Sequence, residues 1–454
     1  MAPFAPFAGM RVAVVGLGRA GLPAARRLAA WGAEVTAWDD REGARAEALA
    51  AGLRVADPAA RFDFDALLLS PGIPHLLPQP HPAAAAARAA GKPVLSDVEF
   101  LYRAVRAGGS RARFAGITGT NGKSTTTALL GHLLARAGIP CAVGGNLGPA
   151  ALDMKLLGDD SVYVLEMSSY MLERIETLRF NCAAMLNLSP DHLDRHGDMA
   201  GYLAAKARIF ARQEAGDVAV LGQGDAPTRG LAAGLAARVV PLAEGGVWWE
   251  GSLLRDGAGV LADLAACATL PGAHNAQNAA AAAAMALALG VPRAALAEGL
   301  ATYPGLPHRQ EVVRRIGPVA FVNDSKATNA DSTAWALSSY PRVVWIAGGM
   351  GKAGGIEPLA PYFDRVAEAF LIGRDAAEFA ATLAAHGVRH RLCGTLEEAV
   401  PLAARAALSG GAEVVLLSPA AASWDQFTGF DARGDAFRAL VAALDAPLAE
   451  GMSA

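Results

Sequence analysis

The clearest chemical signal in the chain is Phe114-Ala-Gly-Ile-Thr-Gly-Thr-Asn-Gly-Lys-Ser-Thr-Thr-Thr127, a short apolar run, a glycine loop and a helix start. Gly119, Gly122, Lys123 and Ser124 match the end of the Walker phosphate loop, although Ile117 stands where G-x-x-x-x-G-K-[ST] has its first glycine. The chemistry survives that change. Consecutive backbone N–H groups can cradle phosphates, Lys123 can reach the β/γ oxygens of a nucleoside triphosphate, and Ser124 or Thr125 can approach Mg²⁺.

A second glycine turn lies in Val12-Ala-Val-Val-Gly-Leu-Gly-Arg-Ala-Gly21, a strand followed by G-x-G-x-x-G, and Asp39-Asp40 closes the next strand about 20 residues on. Gly16 permits the tight turn, Gly18 admits a phosphate close to the backbone, and Gly21 lets the helix pack closely. The helix N-terminus then faces an anion. Alone, this motif would mark a nicotinamide-dependent oxidoreductase, yet a diphosphate of any nucleotide fits the same geometry. Ser70-Pro-Gly-Ile73 offers a further glycine turn at the same sheet edge, readable as part of that site or as an ordinary strand end. Two nucleotide-type sites in succession suggest an ATP-driven step on something carried on a phosphate handle.

Carboxylates and imidazoles follow the phosphate loop. Val162-Tyr-Val-Leu-Glu166 puts an acid at the end of a buried apolar strand, and Asp191, His192, Asp194 and His196 crowd the polar loop after Ala183 to Asn187. In parallel sheets the ligand crevice lies at the carboxyl ends of strands, so both clusters should face the phosphate loop. Mg²⁺ takes hard oxygen ligands, which suits Glu166 better than His192. The plain alternative for each acid is a helix N-cap, Asp191 included. Lys206, on a short helical stretch with little other charge, reads by itself as a solvated surface lysine.

The elements that must position these residues alternate short β-branched runs with Ala- and Leu-rich helical stretches, the pattern of α/β folds. Val12–Val15, Val35–Trp38 and 66–70 predict strands of a first unit; 114–117, Val162–Glu166, 183–187 and 218–222 those of a second; Val319–Asn323, 343–347, 369–372 and 414–418 those of a third. Residues 104–113 (AVRAGGSRAR) read as a linker, 275–289 as the second unit's last strong helix, and TYPGLPHRQE as the next boundary. Both alanine runs, 83–87 and 279–284, read as helix interiors. The 454 residues are 53% hydrophobic and 18% charged, ample for a core. Lys+Arg at 40 against Asp+Glu at 43 gives no basic face for nucleic acid. Four scattered cysteines fit neither a disulfide framework nor a zinc site and suit a reducing cytosol. The longest alanine-rich segment is too short for a span of about 20 residues, and the N-terminus lacks the pattern of a signal peptide.

The segments GITGTNGKSTTT, LEMSSYMLE, LNLSPDHLDRHG, YLAAKARIF, PGAHNAQNAAAA, GLPHRQE, VNDSKATNADST, AGGMGK and LLSPAAASWDQFTGFDARGDAF together resemble the ATP-dependent Mur ligases of peptidoglycan assembly, in family order over nearly the whole chain. The resemblance implies three α/β domains: a Rossmann-like uridine-nucleotide domain at 1–107, a central P-loop ATPase domain with a mostly parallel sheet at 108–306, and a Rossmann-like amino-acid domain at 307–454. It implies that Gly16, Leu17, Gly18, Asp39, Asp40, Arg41, Ser70 and Gly72 hold UDP, with Asn146 and Ser168 near the sugar-peptide arm. Gly119, Thr120, Asn121, Gly122, Lys123, Ser124, Thr125, Asn275, Asn278, Arg309 and Asp324 would bind ATP, Arg309 at the γ-phosphate and Asp324 at the ribose. Ser124, Glu166, His192 and Lys206 would hold Mg²⁺, two ions in all. Lys206 matches a lysine that family members carbamylate, which turns an ammonium into an anionic two-oxygen ligand.

In the third domain Lys326, Thr328, Lys352, Ser423 and Phe430 would receive D-glutamate, and the SPAAASWDQFTGFDARG segment points to the D-glutamate-adding branch. Met350, Ala421 and Trp424 depart from the family pattern, where a more acidic glycine loop, a cysteine and a leucine are expected. The implied activity is amide formation in the cytoplasm by a monomer. UDP-N-acetylmuramoyl-L-alanine, D-glutamate and ATP would be its partners, with neither nucleic acid nor membrane insertion, and Lys123, His192, Lys206 and Arg309 its catalytic residues. A sister ligase, a nicotinamide oxidoreductase and a non-catalytic nucleotide-binding regulator are the competing readings.

Overall fold

The computed structural model describes residues 4–267, 269–352 and 354–444. Residues up to Tyr303 form one compact unit and those from Pro304 a second, so the break falls inside TYPGLPHRQE. Both are α/β, with mostly parallel sheets as the alternating pattern predicts.

The first unit opens with a parallel five-stranded sheet built from β1 (Arg11–Val15), β2 (Glu34–Trp38), β3 (Arg54–Val55), β4 (Ala66–Leu69) and β5 (Val94–Leu95), in the order β3-β2-β1-β4-β5. A six-stranded parallel sheet follows: β6 (Arg113–Thr118), β7 (Cys141–Gly145), β8 (Val162–Glu166), β9 (Cys182–Met185), β10 (Val218–Leu221) and β11 (Arg238–Pro241). Its order, β11-β10-β9-β6-β8-β7, sets β6 between β8 and β9. The loops after those three neighbours therefore open side by side. β8 and β9 are buried along their whole length, as near-continuous apolar runs covered on both faces must be. One apolar cluster runs from Phe7 and Phe100 of the first sheet's side to Phe114, Tyr163 and Phe180 of the second's, so the two sheets share a core. The other face of the second sheet packs on the helix Ala273–Ala288, whose alanines 279–283 are all fully buried. Alanine allows that helix to approach the helix Lys123–Arg136 closely, and it carries the best helix propensity.

Three more strands, β12 (Val247–Glu250), β13 (Leu253–Asp256) and β14 (Gly259–Asp263), form a small antiparallel sheet. The second unit is a six-stranded sheet of β15 (Glu311–Ile316), β16 (Val319–Asn323), β17 (Val343–Gly348), β18 (Val366–Ile372), β19 (His390–Gly394) and β20 (Val414–Leu417), in the order β15-β16-β20-β17-β18-β19. Only the β15–β16 hairpin is antiparallel. Among the described residues no helix is long and apolar enough to cross a membrane. The cysteines are free thiols.

Two sequence readings are corrected. Residues 104–107 are the last turn of the helix Asp97–Ala107 and not linker, because Phe100, Leu101, Ala104 and Val105 fall on one helical face and bury it; only the turn after Ala107 separates helix from strand. The strand expected to reach Asn187 stops at Met185, although Leu186 beyond it is still fully buried and donates its N–H to Thr118 O at 3.0 Å. The helix Ala273–Ala288 is followed by a further short one, Leu296–Ala301.

Candidate active site

The phosphate loop leaves β6 and enters the helix Lys123–Arg136 through Gly122, which caps it with φ +85°. A side chain there would be strained, and its Cβ would collide with Asn278 Oδ1. Asn278 is in turn held: its amide donates to Asn275 Oδ1 at 3.1 Å, and Thr126 Oγ1 donates to its Oδ1 at 3.4 Å. Both asparagines are buried, and Asn278 lies against Gly122 of the loop. The neighbouring β9 loop braces the other side. Thr120 N donates to Asn187 O at 3.0 Å, Asn121 N to Asn187 Oδ1 at 2.9 Å, and Ser189 N to Thr120 Oγ1 at 3.0 Å. Asn187 had no signal of its own in the sequence. Lys123 Nζ lies back over its own loop, donating to Gly119 O at 3.0 Å and Thr120 O at 2.7 Å. Ser124 and Thr125 are buried in the first turn.

Glu166 ends β8 on the same sheet edge, 2% exposed. Its Oε1 accepts from Asn146 Nδ2 at 2.7 Å, while its buried Oε2 has no hydrogen-bond partner among the described residues. A buried carboxylate oxygen without a donor costs free energy unless something cationic meets it. That vacancy of donors suits a hard cation. Ser168, two residues on, caps the helix Ser169–Leu172, its Oγ accepting from Met171 N at 3.2 Å.

Lys206 overturns its plain sequence reading. It is 1% exposed, and its Nζ donates to Gly119 O at 2.7 Å and to Thr118 Oγ1 at 3.5 Å, beneath the Tyr202 ring at 4.6 Å. Burial and then the Lys123 charge lower its pKa well below the ordinary lysine value, against the opposing pull of Asp191 and Glu166. Nothing in the flanking helix Met199–Ala207 marks this position; tertiary packing creates it. His192 sits with φ +53° ahead of the short helix Leu193–His196, its ring 5.0 Å from Tyr170, and burial with the Lys206, Lys123 and His196 charges lowers it despite Asp191. Asp191 is not the cap the plain reading allowed: it is exposed, and Oδ1 accepts from His192 N at 3.0 Å. Among the described residues no three His, Cys, Asp or Glu side chains converge as a metal cluster.

The N-terminal glycine turn sits at the carboxyl edge of the first sheet. Gly16 has φ +87°, and a Cβ there would press on Ser70 and Ile73; one on Gly21 would collide with Gly16 O. Ser70 Oγ donates to Gly16 O at 2.6 Å, so SPGI is tied to the fingerprint turn rather than being an isolated strand end. Gly18 is open to solvent. Asp39 does not present a free carboxylate. Leu17 N donates to its Oδ2 at 2.7 Å, and Arg41 N and Nε to Oδ1 at 2.9 and 3.1 Å. Burial alone would raise Asp39, but these donors outweigh it and hold it below the ordinary carboxylate range. A carboxylate so occupied is poorly placed for a nicotinamide ribose. Asp40 is exposed beside Trp38 and His81, and Asn146 and Gly72 are exposed as well.

In the second unit, Asp324 directly follows β16 and is buried. Ser418 Oγ donates to it at 2.8 Å and Gln310 N at 3.2 Å, and burial pushes its carboxyl up to about 7 although Arg309 opposes this. Arg309 itself is exposed. Lys326 Nζ lies 5.7 Å from the Phe430 ring centre, and Ser325 Oγ donates to Phe430 O at 2.7 Å. Thr328 is half-buried, Lys352 exposed and Ser423 buried. The β17 and β20 loops meet where Met350 and Ala422 exchange N–H···O bonds of 2.8 and 2.9 Å, joining the segments of Lys352 and Ser423. Sequence reasoning missed Arg433, 1% exposed, which binds Ser325 Oγ and O at 2.9 Å each and Ala421 O at 3.1 Å. Its DARGD context carried no charge pattern to single it out.

A Mur ligase middle domain matches residues 117–286, and a Mur ligase, glutamate ligase domain matches 308–421. The chain is 50% identical over 449 residues to a UDP-N-acetylmuramoylalanine–D-glutamate ligase of Paramagnetospirillum magneticum, covering 96% of this chain and 97% of that one. It is 47% identical to the enzyme of the same name from Caulobacter sp. (strain K31), over 99% and 100%. In fold it is similar to a UDP-N-acetylmuramate–alanine ligase from Thermotoga maritima, with TM-score 0.59 and 18% identity over 96% and 99% of the two chains. MurF from Acinetobacter baumannii gives TM-score 0.60 and 21% identity over 77% and 80%. With the phosphate loop, the orphaned acid and the buried lysine on one sheet edge, and relatives this similar over their full length, the chain belongs to the Mur ligase family.

Proposed function

We propose that the protein is an ATP-dependent ligase that joins D-glutamate to UDP-N-acetylmuramoyl-L-alanine through an acyl phosphate, in cytoplasmic peptidoglycan precursor synthesis. The observation that carries the chemistry is the buried, donor-free Oε2 of Glu166 on the strand beside the phosphate loop. The half-identical relatives carry the substrate assignment. Domains 1–107, 108–306 and 307–454 would take the uridine nucleotide, ATP and the amino acid in turn.

Glu166, His192, Ser124 and a carbamylated Lys206 would hold Mg²⁺, two ions, whose contribution is to neutralise phosphate charge. Lys123 leaves its carbonyls for the β/γ oxygens, and Arg309 meets the γ-phosphate. The substrate's L-alanine carboxylate oxygen attacks the γ-phosphorus as the bond to ADP breaks. The D-glutamate amine then attacks the acyl carbon, phosphate departs, and the amine loses a proton, with His192 placed to orient it. Asn275 and Asn278 contact the nucleotide and Asp324 its ribose. Lys326, Thr328, Lys352, Ser423 and Phe430 receive D-glutamate, whose two carboxylates call for cations and N–H donors. Gly16, Leu17, Gly18, Asp39, Asp40, Arg41, Ser70 and Gly72 hold UDP, with Asn146 and Ser168 toward the peptide arm. The working form is a monomer.

ADP formation should require UDP-N-acetylmuramoyl-L-alanine and D-glutamate together. ATP turnover indifferent to both, or NAD binding seen by fluorescence, would sink the proposal.

A further inference from the structure

The SPGI turn is held from outside in an unusual way. Its five successive carbonyls, Leu69 to Ile73, all accept from two guanidinium groups of the neighbouring region. Arg174 Nη1 donates to Leu69 O at 2.7 Å and Ser70 O at 3.2 Å, and Nη2 to Pro71 O at 3.0 Å. Arg195 Nη1 donates to Gly72 O at 3.0 Å and Nη2 to Ile73 O at 3.3 Å. Both groups are themselves fixed. Arg174 is 2% exposed, with Nε on Tyr170 O at 2.9 Å, and Arg195 stacks on the Tyr170 ring at 4.3 Å. Burial pulls Arg174 down to about 10, so it stays charged at neutral pH. The same positive field, after burial, helps hold His75 down at about 4.

Carbonyls committed on one side leave the turn's donors for the other. Ser70 N donates to Val15 O and Ile73 N to Ser70 O, and Pro71 has no N–H. Gly72 N–H is the remaining donor, with no acceptor among the described residues. Arg174 follows the Glu166–Tyr170 segment, and Arg195 lies three residues after His192. The clamp thus ties the nucleotide-side turn to both segments that flank the phosphate loop.

We propose that Arg174 and Arg195 are positioning residues that clamp the Ser70–Ile73 turn, aiming its free N–H at the diphosphate of the uridine nucleotide and setting that handle in register with the phosphate loop. This rests on the uridine-nucleotide reading of the first sheet's edge. Neither residue touches substrate; they act through the turn.

The test is calorimetric titration of the full chain with UDP, together with KM for UDP-N-acetylmuramoyl-L-alanine and for ATP. Arg195→Ala, at a half-exposed position, should fold normally, bind UDP about tenfold more weakly and raise KM for the uridine substrate in proportion, with KM for ATP within about twofold. Arg195→Lys should recover part of that loss, and Arg174→Lys, which keeps the charge but not the fork of donors, should show a smaller loss of its own. UDP binding by folded Arg195→Ala and Arg174→Lys equal to that of wild type would overturn the clamp and leave the uridine reading intact. Equal rises in both KM values would also overturn it, since a general structural defect spares neither substrate. Failure of the wild type itself to bind UDP would overturn the uridine reading, and the clamp with it.

Discussion

Replacing Lys206 with alanine probes the least expected feature of the active site. A carbamate forms only on a neutral amine, and an exposed lysine titrating near 10.4 keeps only about one amine in 10³ neutral at pH 7.4. Lys206 is 1% exposed and faces the Lys123 ammonium, so burial first and charge second drive its pKa down. Every tenfold gain in acidity raises the neutral fraction about tenfold. The unmodified amine spends its donors on Gly119 O and Thr118 Oγ1, inside the phosphate loop. Alanine removes the anionic oxygens proposed to face the metal and the transferring phosphoryl group. Loss of one such preorganised electrostatic group costs about 10²–10³ in turnover. Phosphate release in the full reaction measures this, repeated over a bicarbonate series, with thermal unfolding as the control for folding. The variant should stay down at high bicarbonate, and wild type in ¹³C-bicarbonate should show a protein-bound carbamate resonance. Near-normal turnover of Lys206→Ala, or fully active wild type without that resonance, would rule out a catalytic carbamate on Lys206.

Gly21→Ala drives a Cβ into Gly16 O, so the fingerprint turn must open; UDP titration should show affinity lost by tenfold or more, with stability lowered by about 1–3 kcal/mol. Glu99 is fully buried and accepts from Glu176 N, Thr177 N and Leu178 N at 2.9, 2.9 and 3.1 Å and from Arg103 Nε at 2.8 Å. Glu99→Ala strands these donors and should cost about 3–5 kcal/mol in urea unfolding at pH 7. Burial raises this carboxyl, but the Thr177, Glu176 and Arg103 donors win and lower it, so the stabilisation is complete above the ordinary glutamate value. The gap between wild type and variant should therefore close as pH falls through the folded value. Asp324 has the opposite sign. Its carboxyl, pushed up to about 7, binds a proton in the folded state that the unfolded chain has released, so stability falls as pH rises from about 4 to 7. Asp324→Asn should melt several degrees above wild type at pH 8 and close to it at pH 5, while weakening nucleotide binding.

The parallel sheets were legible because their strands are unbroken apolar runs: Val162–Glu166 and Val319–Asn323 coincide with the structure to the residue. The phosphate loop and the acids were legible because strand-end placement is a property of the α/β topology. What escaped were elements whose signal is not local. β5 and β3 are two-residue strands defined only by their partners, and β7 ends in two glycines after only three other residues. The β12–β14 sheet alternates too weakly between its turns to stand out from loop. Residues 104–107 looked like linker because Gly108 and Gly109 dominate the stretch, although Ala104 and Val105 already belonged to a buried helical face. Lys206 by itself looked like a surface lysine, and only its family match told against that. Arg174, Arg195 and Arg433 bind mainly backbone carbonyls, partners without a side-chain signature, so no charge pattern announces them.

Phosphate release with UDP-N-acetylmuramoyl-L-alanine and ATP, comparing D-glutamate with L-glutamate, tests the assigned reaction at its most specific point. Sustained release and a product heavier by one glutamyl residue are expected with the D-isomer, and background rates with the L-isomer. Equal rates with both isomers, or release driven by a different amino acid alone, would contradict the assignment.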